Sequence, residues 1–534
     1  MCWMCGASSA GESAYSSYRY KGDIHTYEAR PSSQMVGMTG DFKKDVILQG
    51  SKWDNTNLTY SMWNNVFELY KDPTLRELGK LFGGWDAKGK VAFQKAIATF
   101  ETFTNLKFTF VETGGKPSLT TDIEAMPTGF IQQVTLGSVG LGVFPNKAFG
   151  DQWLQLMNLT RNEFPNVEGS IYFDNFHEVF KYSHEGGKGY WVMLHEIGHT
   201  LGMKHTHDDG GNKRPSLKSL GLEQYDNTMY TMMSYKAPPG GTLDKGNVAT
   251  PMVWDMLALQ DIYGTNWAYH SGNDVYKMAD NGIVKTIWDG GGKDLIDASE
   301  MTAAVNIDLR AGQYSKYGNT IGAVAYKVTL EDASAGSGND TVVGNEVSNV
   351  LAGGGGNDSI RAGASDDTIY GGRGLGDPND GSDVIYGDKG SDVIYGNSGN
   401  DTIYGGTGGF DPLDNSDSIS GGLGDDVIYG NASNDTINGG GGNDTIHGGV
   451  GDDVYQFDSG SGVDTILHFT GAGASGGDVL AVFDHLNGSD IVTASDVLEH
   501  ATRQGSDLVI DFGSGNVLTI IGAASLGAGD IIIL

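Results

Sequence analysis

The chain has 534 residues, 67 of them acidic and 34 basic, for a formal net charge of −33. That balance argues against nucleic acid, whose phosphates need Lys and Arg, and against anionic membrane surfaces. The length allows two or three domains with real cores, and no apolar run approaches the ~18 residues of a membrane span.

Residues 1–45 are polar and rich in Ser, Tyr and Gly, and read as a pro-segment or leader. The opening "MCWMCGASSAGESAYSSYRYKGD" lacks the basic and apolar regions of a classical signal peptide. Cys2 and Cys5 are the only cysteines, so there is no disulfide framework. A globular α+β region follows over 46–270. "KVAFQKAIATFETFTN" (90–105) sets Phe93, Ala96, Ile97, Phe100 and Phe103 near one helix face. "LKFTFVET" alternates like a strand, and "GLGVFPN" and "GSIYFDN" (169–175) look like further strands. "YWVMLHEIGHTLG" (190–202) reads as a helix stopped by Gly202. "TPMVWDMLALQDIYG" (250–264) reads as another, ending at Gly264.

The first of these helices carries a metal-ligand pattern. His195 and His199 are four residues apart, one turn apart on one face. Gly202 lets the chain turn sharply and offer His205 as a third ligand. Three neutral imidazoles and one open position make a catalytic zinc site, whereas a structural one closes with a fourth protein ligand. Glu196 sits beside the pair and can take a proton from a metal-bound water. His177, His184 and His207 flank the site in sequence and read as solvated surface residues.

Residues 271–330 form a junction. From 331 to 460 there are 23 acidic and 3 basic residues, and a nine-residue period appears. Units such as "GGGGNDSIR" (353–361) and "GNSGNDTIY" (396–404) have early glycines, aspartate at place six and usually isoleucine at place eight. These aspartates are Asp340, Asp358, Asp367, Asp383, Asp392, Asp401, Asp417, Asp426, Asp435, Asp444 and Asp453. Glycines such as Gly353 and Gly355 leave carbonyl oxygens free on the turn. Carbonyl and carboxylate oxygens together suit Ca²⁺, and the isoleucines stack inward in neighbouring coils. Several calcium ions are expected, and a roll that unfolds without them. Place six is Asn349 in "GNEVSNVLA", so that turn is expected to bind calcium weakly or not at all. Two seven-residue inserts, "LGDPNDG" (375–381) and "GFDPLDN" (409–415), lie three units apart. Consecutive units should form opposite faces, so the inserts should emerge on opposite sides. Residues 461–534 hold strand-like pieces and end in "DIIIL".

The nonapeptides resemble the RTX family. That resemblance implies a parallel β-roll with calcium between its turns, and export through a one-step (type I) channel directed by an uncleaved C-terminal signal. Asp530 followed by "IIIL" resembles such an ending. The histidine pattern resembles the metzincin signature, and "TMMSY" (231–235) resembles its methionine turn. The resemblance makes Met233 an apolar floor under the zinc histidines. It makes Tyr235 a ligand at the resting zinc that swings away to bond the transition-state oxyanion.

A metzincin domain followed by an RTX roll resembles the serralysins, secreted bacterial zinc proteases. Residues 461–534 then become a C-terminal β-sandwich carrying the secretion signal. The family's further calcium turns are similar to "SGNDVY" (271–276) and "WDGGGKDLIDAS" (288–299), which nominates Asp274, Asp289, Gly291 and Asp294 as ligands. Serralysins usually have proline after the third histidine, where Thr206 stands here.

The reading is thus a secreted, monomeric zinc endopeptidase acting on protein or peptide substrates, with one zinc and several calcium ions. Substrate should lie beside an edge strand, with "GSVGLGVFPN" (137–146) as the candidate. The alternative is a calcium-dependent extracellular adhesion or scaffold protein with an inactive protease domain; the intact Glu196 discriminates against it. Cys2 or Cys5 could occupy the open zinc position and confer latency. Matrix-type metzincins use such a switch and serralysins generally do not; the pair could equally be incidental or bind another metal as C-x-x-C.

Overall fold

The computed structural model describes residues 38–49, 51–53, 55–63, 87–110, 181–208, 214–239, 248–374, 377–408, 415–471, 477–488, 490–523 and 526–534, with the strands 33–35, 129–134, 140–142 and 171–174. The chain divides into two compact units. One comprises 1–269, 282–290 and 325–327; the other comprises 270–281, 291–324 and 328–534.

The first unit holds a five-stranded sheet in the order Lys107–Phe110, Asn57–Trp63, Gly129–Val134, Ile171–Asp174, Gly140–Gly142. The first four strands are parallel and the last is antiparallel. Of the stretch 137–146 proposed to receive substrate, Gly140–Gly142 is described, and it is an edge strand among the described residues. Helix Ala87–Phe103 buries the five apolar residues that its spacing nominates. Helix Lys188–Thr200 is buried from Gly189 onward and packs on it. Helix Val253–Tyr263 is apolar almost all round, and all of it but Asp261 is buried, as such a composition demands.

Before the sheet lies a segment that composition alone assigns poorly. A helical turn, Phe42–Asp45, is capped by the Asp41 carboxylate, and Val46, Ile47, Leu48 and Gln49 after it are buried. Leu48 forms an antiparallel bridge with Met203. Gln49 N–H donates to the Gly202 carbonyl at 2.8 Å, and Lys204 N–H to that of Ile47 at 2.7 Å. The boundary read at residue 45 thus falls inside packed structure. The polar leader composition hides the helical turn Phe42–Asp45, which leads into the apolar run "VIL" (46–48) that docks onto the histidine loop.

The second unit is built on two sheets, parallel through the repeat, with antiparallel strands at both ends of the larger one. Eleven strands run from Val275–Lys277 to Ile531–Ile533 in one, and consecutive strands of the repeat alternate between the sheets. The isoleucines at place eight meet in register: Ile360 with Ile385, Ile385 with Ile403, Ile403 with Ile428. All are fully buried, and each such burial contributes roughly 1.5–3 kcal/mol. The first insert lies between Thr368–Gly372 of one sheet and Val384–Lys389 of the other. The second lies between Thr402–Tyr404 and Ser418–Leu423, crossing in the opposite sense. The inserts therefore interrupt opposite edges of the roll. The C-terminal strands continue the same two sheets: Val517–Ile520 pairs with Val463–Leu467, and Ile531–Ile533 with Val479–Val482, all parallel.

Candidate metal centres

Helix Lys188–Thr200 presents His195 and His199 on one face. The chain then reverses at Gly202, whose φ of 97° is left-handed backbone suited to glycine, and delivers His205. All three rings are buried. His205 Nε2 lies 3.1 Å from His195 Nε2 and 3.1 Å from His199 Nε2. Each Nδ1 faces an oxygen instead: Met232 O at 2.9 Å, Met203 O at 2.8 Å and Asp208 Oδ2 at 2.9 Å. Each Nδ1 therefore carries the proton, and three bare Nε2 lone pairs converge. Burial, and then the neighbouring histidines, hold His195 and His205 well below the ordinary imidazole pKa. Neutral imidazoles with oriented outer partners form a donor set that fits zinc.

Glu196 is buried on the same helix. The Tyr235 hydroxyl reaches His205 Nε2 at 2.6 Å, so it stands where the three nitrogens converge. Met233 lies beneath the helix: a Cβ at Gly198 would meet Met232 Cε at 2.7 Å and Met233 Sδ at 2.9 Å. Gly198 is what lets the methionine turn approach between the two helical histidines. His207, read as a solvated residue, is exposed, yet its ring stacks on His205 at 4.9 Å with an 8° interplanar angle. His184 is exposed and bonds locally to the Glu185 carbonyl. His177, Cys2 and Cys5 lie outside the described residues.

Two buried carboxylates around the methionine turn escaped the sequence reading. Asp255, on helix Val253–Tyr263, accepts Thr231 Oγ1 at 2.6 Å, Met232 N at 2.7 Å and Met252 N at 2.9 Å. Its signal was an aspartate in the first turn of an otherwise apolar helix face. Asp226 accepts the hydroxyls of Thr206 and Ser234 and pairs with Lys236 at 2.8 Å. Threonine in place of the usual proline thus ties the His205 loop to the methionine turn.

In the roll, every place-six N–H donates to the Oδ1 of a later coil. Asp383 N donates to Asp401 at 2.8 Å, Asp401 to Asp426 at 2.8 Å and Asp426 to Asp444 at 2.8 Å. The second oxygens of Asp358, Asp367, Asp383, Asp401, Asp426 and Asp444 are buried without a hydrogen-bond partner. Burial pushes the carboxyls of Asp358, Asp367 and Asp426 up to about 8, and that of Asp383 to about 9. A Cβ at Gly353 would collide with Asp358 Oδ2 and the Gly371 carbonyl; Gly396 repeats this with Asp401 and Gly421. Gly355 lies beneath the Asn379 carbonyl, 3.1 Å from where its Cβ would stand. Orphaned carboxylate oxygens beside carbonyls fit a hard divalent cation. Asp392, Asp417, Asp435 and Asp453 are buried in the same lines. Asp464 and Asp478 extend them, accepting Asp444 N at 2.9 Å and Asp453 N at 3.1 Å. They were missed because the spacing changes after Asp453.

Two places differ. Both oxygens of Asp340 already accept backbone N–H groups, from Val305 at 2.7 Å and Gly336 at 2.8 Å, so it fits a cation less well than its successors. Asn349 Nδ2 donates to the Glu331 carbonyl at 2.7 Å and to Asn345 Oδ1 at 3.3 Å, so an amide hydrogen does a cation's work there. Near the junction, Asp294 is buried, and its Oδ1 accepts Asp274 N at 2.8 Å. Asp294 N in turn donates to Glu331 Oε2 at 2.8 Å. Gly291 has a φ of 121°. Asp289 is buried in the other unit.

A Matrixin family profile matches residues 150–227, and four copies of the RTX calcium-binding nonapeptide repeat match 343–375, 377–409, 420–455 and 429–466. Serralysin of Proteus mirabilis is 29% identical over 338 residues, covering 58% of this chain and 65% of that protein. Metalloprotease AprA of Pseudomonas entomophila is 36% identical over 188 residues, covering 31% and 39%. Serralysin of Photorhabdus laumondii is 33% identical over 337 residues, covering 58% and 65%. The chain thus spans less than two thirds of the length of each of these relatives. It carries a region that matches the matrixin profile, followed by RTX calcium-binding repeats, and it is similar to serralysin-type metalloproteases.

Proposed function

We propose that the chain is a secreted zinc endopeptidase that hydrolyses extracellular protein or peptide substrates and is stabilised by calcium bound along its roll. The observation that carries this reading is the convergence of three neutral Nε2 atoms beside the buried Glu196. A zinc ion held by His195, His199 and His205 supplies a Lewis acid and an acidified water. Glu196 takes the proton of the attacking water and passes it to the leaving amine. The Tyr235 hydroxyl donates to the scissile carbonyl oxygen as negative charge develops on it. The strand Gly140–Gly142, at the sheet edge among the described residues, receives an extended peptide as an added strand.

The calcium ligands in this proposal are the place-six aspartates with the carbonyls of residues such as Gly353 and Gly355, and Asp274, Asp289, Gly291 and Asp294 near the junction. Secretion by a type I apparatus, a signal at the C-terminal strand, and a monomeric state belong to the proposal too. An inactive adhesion protein would have no use for the intact Glu196. The proposal includes latency through Cys2 or Cys5, tested by whether Cys2→Ser/Cys5→Ser raises the activity of the intact chain.

The deciding experiment is Glu196→Gln with zinc analysis and casein hydrolysis. Zinc should be retained while kcat/KM falls by at least ~10²-fold, the lower end of a general base's contribution. Near-normal hydrolysis by the variant would overturn the mechanism.

A further inference from the structure

Lys204 immediately precedes the third histidine and is completely buried. Its ammonium reaches four backbone carbonyls: Val46 at 2.6 Å, Asp208 at 2.7 Å, His205 at 3.1 Å and Pro215 at 3.2 Å. An ammonium has three N–H donors and no acceptor, so the four oxygens share them, much as carbonyls surround a bound cation. A buried charge is tolerated only when it is satisfied in this way.

The four carbonyls belong to three stretches of chain. Two of them, at residues 205 and 208, bracket the loop that delivers the third histidine, and the Asp208 carboxylate holds His205 Nδ1. The third, at Val46, belongs to the segment that pairs with Met203 and Lys204. The fourth, at Pro215, adjoins Arg214, which is itself buried and paired with Asp45 at 3.3 Å. Asp45 also accepts Thr39 N at 2.8 Å and Gly40 N at 3.1 Å. These struts join the backbone around His205, the segment 39–49 and the stretch at Arg214 and Pro215.

We propose that Lys204 is a positioning residue for the metal centre: its ammonium acts as a built-in structural cation that fixes the His205–Asp208 loop and makes residues 39–49 part of the support of the third ligand. Removal of the chain through residue 49 destroys this support. The proposal rests on the zinc reading above.

The test compares full-length, zinc- and calcium-loaded wild type with Lys204→Met and Lys204→Gln. Methionine keeps the stem without donors, and glutamine keeps two donors on a shorter stem. The readouts are the rate of zinc loss to a chelator, the visible absorption of the cobalt-substituted protein, and the thermal midpoint. Lys204→Met should weaken zinc retention by about 10–100-fold, the range for outer partners of metal ligands. Lys204→Gln should fall between it and wild type, and the cobalt bands should shift in the same order. Should Lys204→Met fail to fold, the glutamine variant carries the comparison. A lowered midpoint with unchanged zinc loss and cobalt spectra would make Lys204 merely structural and overturn the proposal. Wild type that binds no zinc would overturn the metal reading, and this proposal with it.

Discussion

Asp255 Oδ2 accepts the backbone N–H of Met232 at 2.7 Å, while the Met232 carbonyl faces His195 Nδ1 at 2.9 Å and accepts Trp191 Nε1 at 3.0 Å. The backbone of one residue, Met232, therefore links a buried carboxyl, pushed up to about 7 by burial, to the first metal ligand. Asp255→Asn replaces one accepting oxygen with an amide nitrogen and orphans at least one buried donor, a cost of roughly 1–3 kcal/mol. A lower thermal midpoint and faster zinc loss are expected, checked by calorimetry and chelator competition.

Tyr235→Phe should separate metal binding from catalysis. The three histidines remain, so zinc content should match wild type. Loss of a hydroxyl that stabilises the oxyanion should lower kcat about 10²-fold with little change in KM. Steady-state kinetics alongside metal analysis checks both; loss of zinc would instead mean that the tyrosine chiefly holds the metal.

Asn349→Asp should add one calcium to the roll. The amide that donates to the Glu331 carbonyl becomes a second carboxylate oxygen, as at Asp367 one coil on, whose Oδ1 accepts Asn349 N at 2.7 Å. Calorimetric titration should count one more calcium per chain. In chelator the variant should melt below wild type, because the Glu331 carbonyl loses its donor.

The calcium-free roll should respond to pH in an unusual sense. Burial raises the aspartate carboxyls to values from about 6 at Asp444 and Asp453 to about 9 at Asp383. The folded state then binds more protons than the unfolded one. The stability these groups contribute is fully present below the ordinary carboxylate pKa near 4, and is lost as pH rises through about 6 to 9. Circular dichroism in chelator should show more β-structure at about pH 5 than at about pH 8, with calcium restoring it at the higher pH.

The histidine helix was legible because its ligands repeat within one turn, and the roll because a short period writes its own contacts. What stayed hidden is carried by partners distant in sequence. Asp45 meets Arg214 across 169 positions, and the Lys204 ammonium finds Val46 across 158. No local pattern announces such pairs. His207 looked like surface because its exposure is real, but only the fold reveals that one side of its ring is laid on His205. The polar leader composition likewise concealed Asp41 to Asp45, a capped helical turn whose one buried residue is a charged aspartate rather than an apolar side chain.

The aspartate ladder also sets the rules by which this chain can change length. The amide of Asp383 is answered 18 positions later by Asp401, and that of Asp358 is answered 25 positions later by Asp383, the difference being the seven residues of an insert. The roll is thus a screw advancing one thread per two nonapeptides, with extra chain tolerated only where it leaves the edge. Deleting two nonapeptides would shorten the screw by one thread and rejoin it in phase. Deleting one would land every later strand on the wrong sheet, turning the C-terminal strands about the roll axis by half a revolution. Duplication and loss in such genes should accordingly proceed in pairs of repeats.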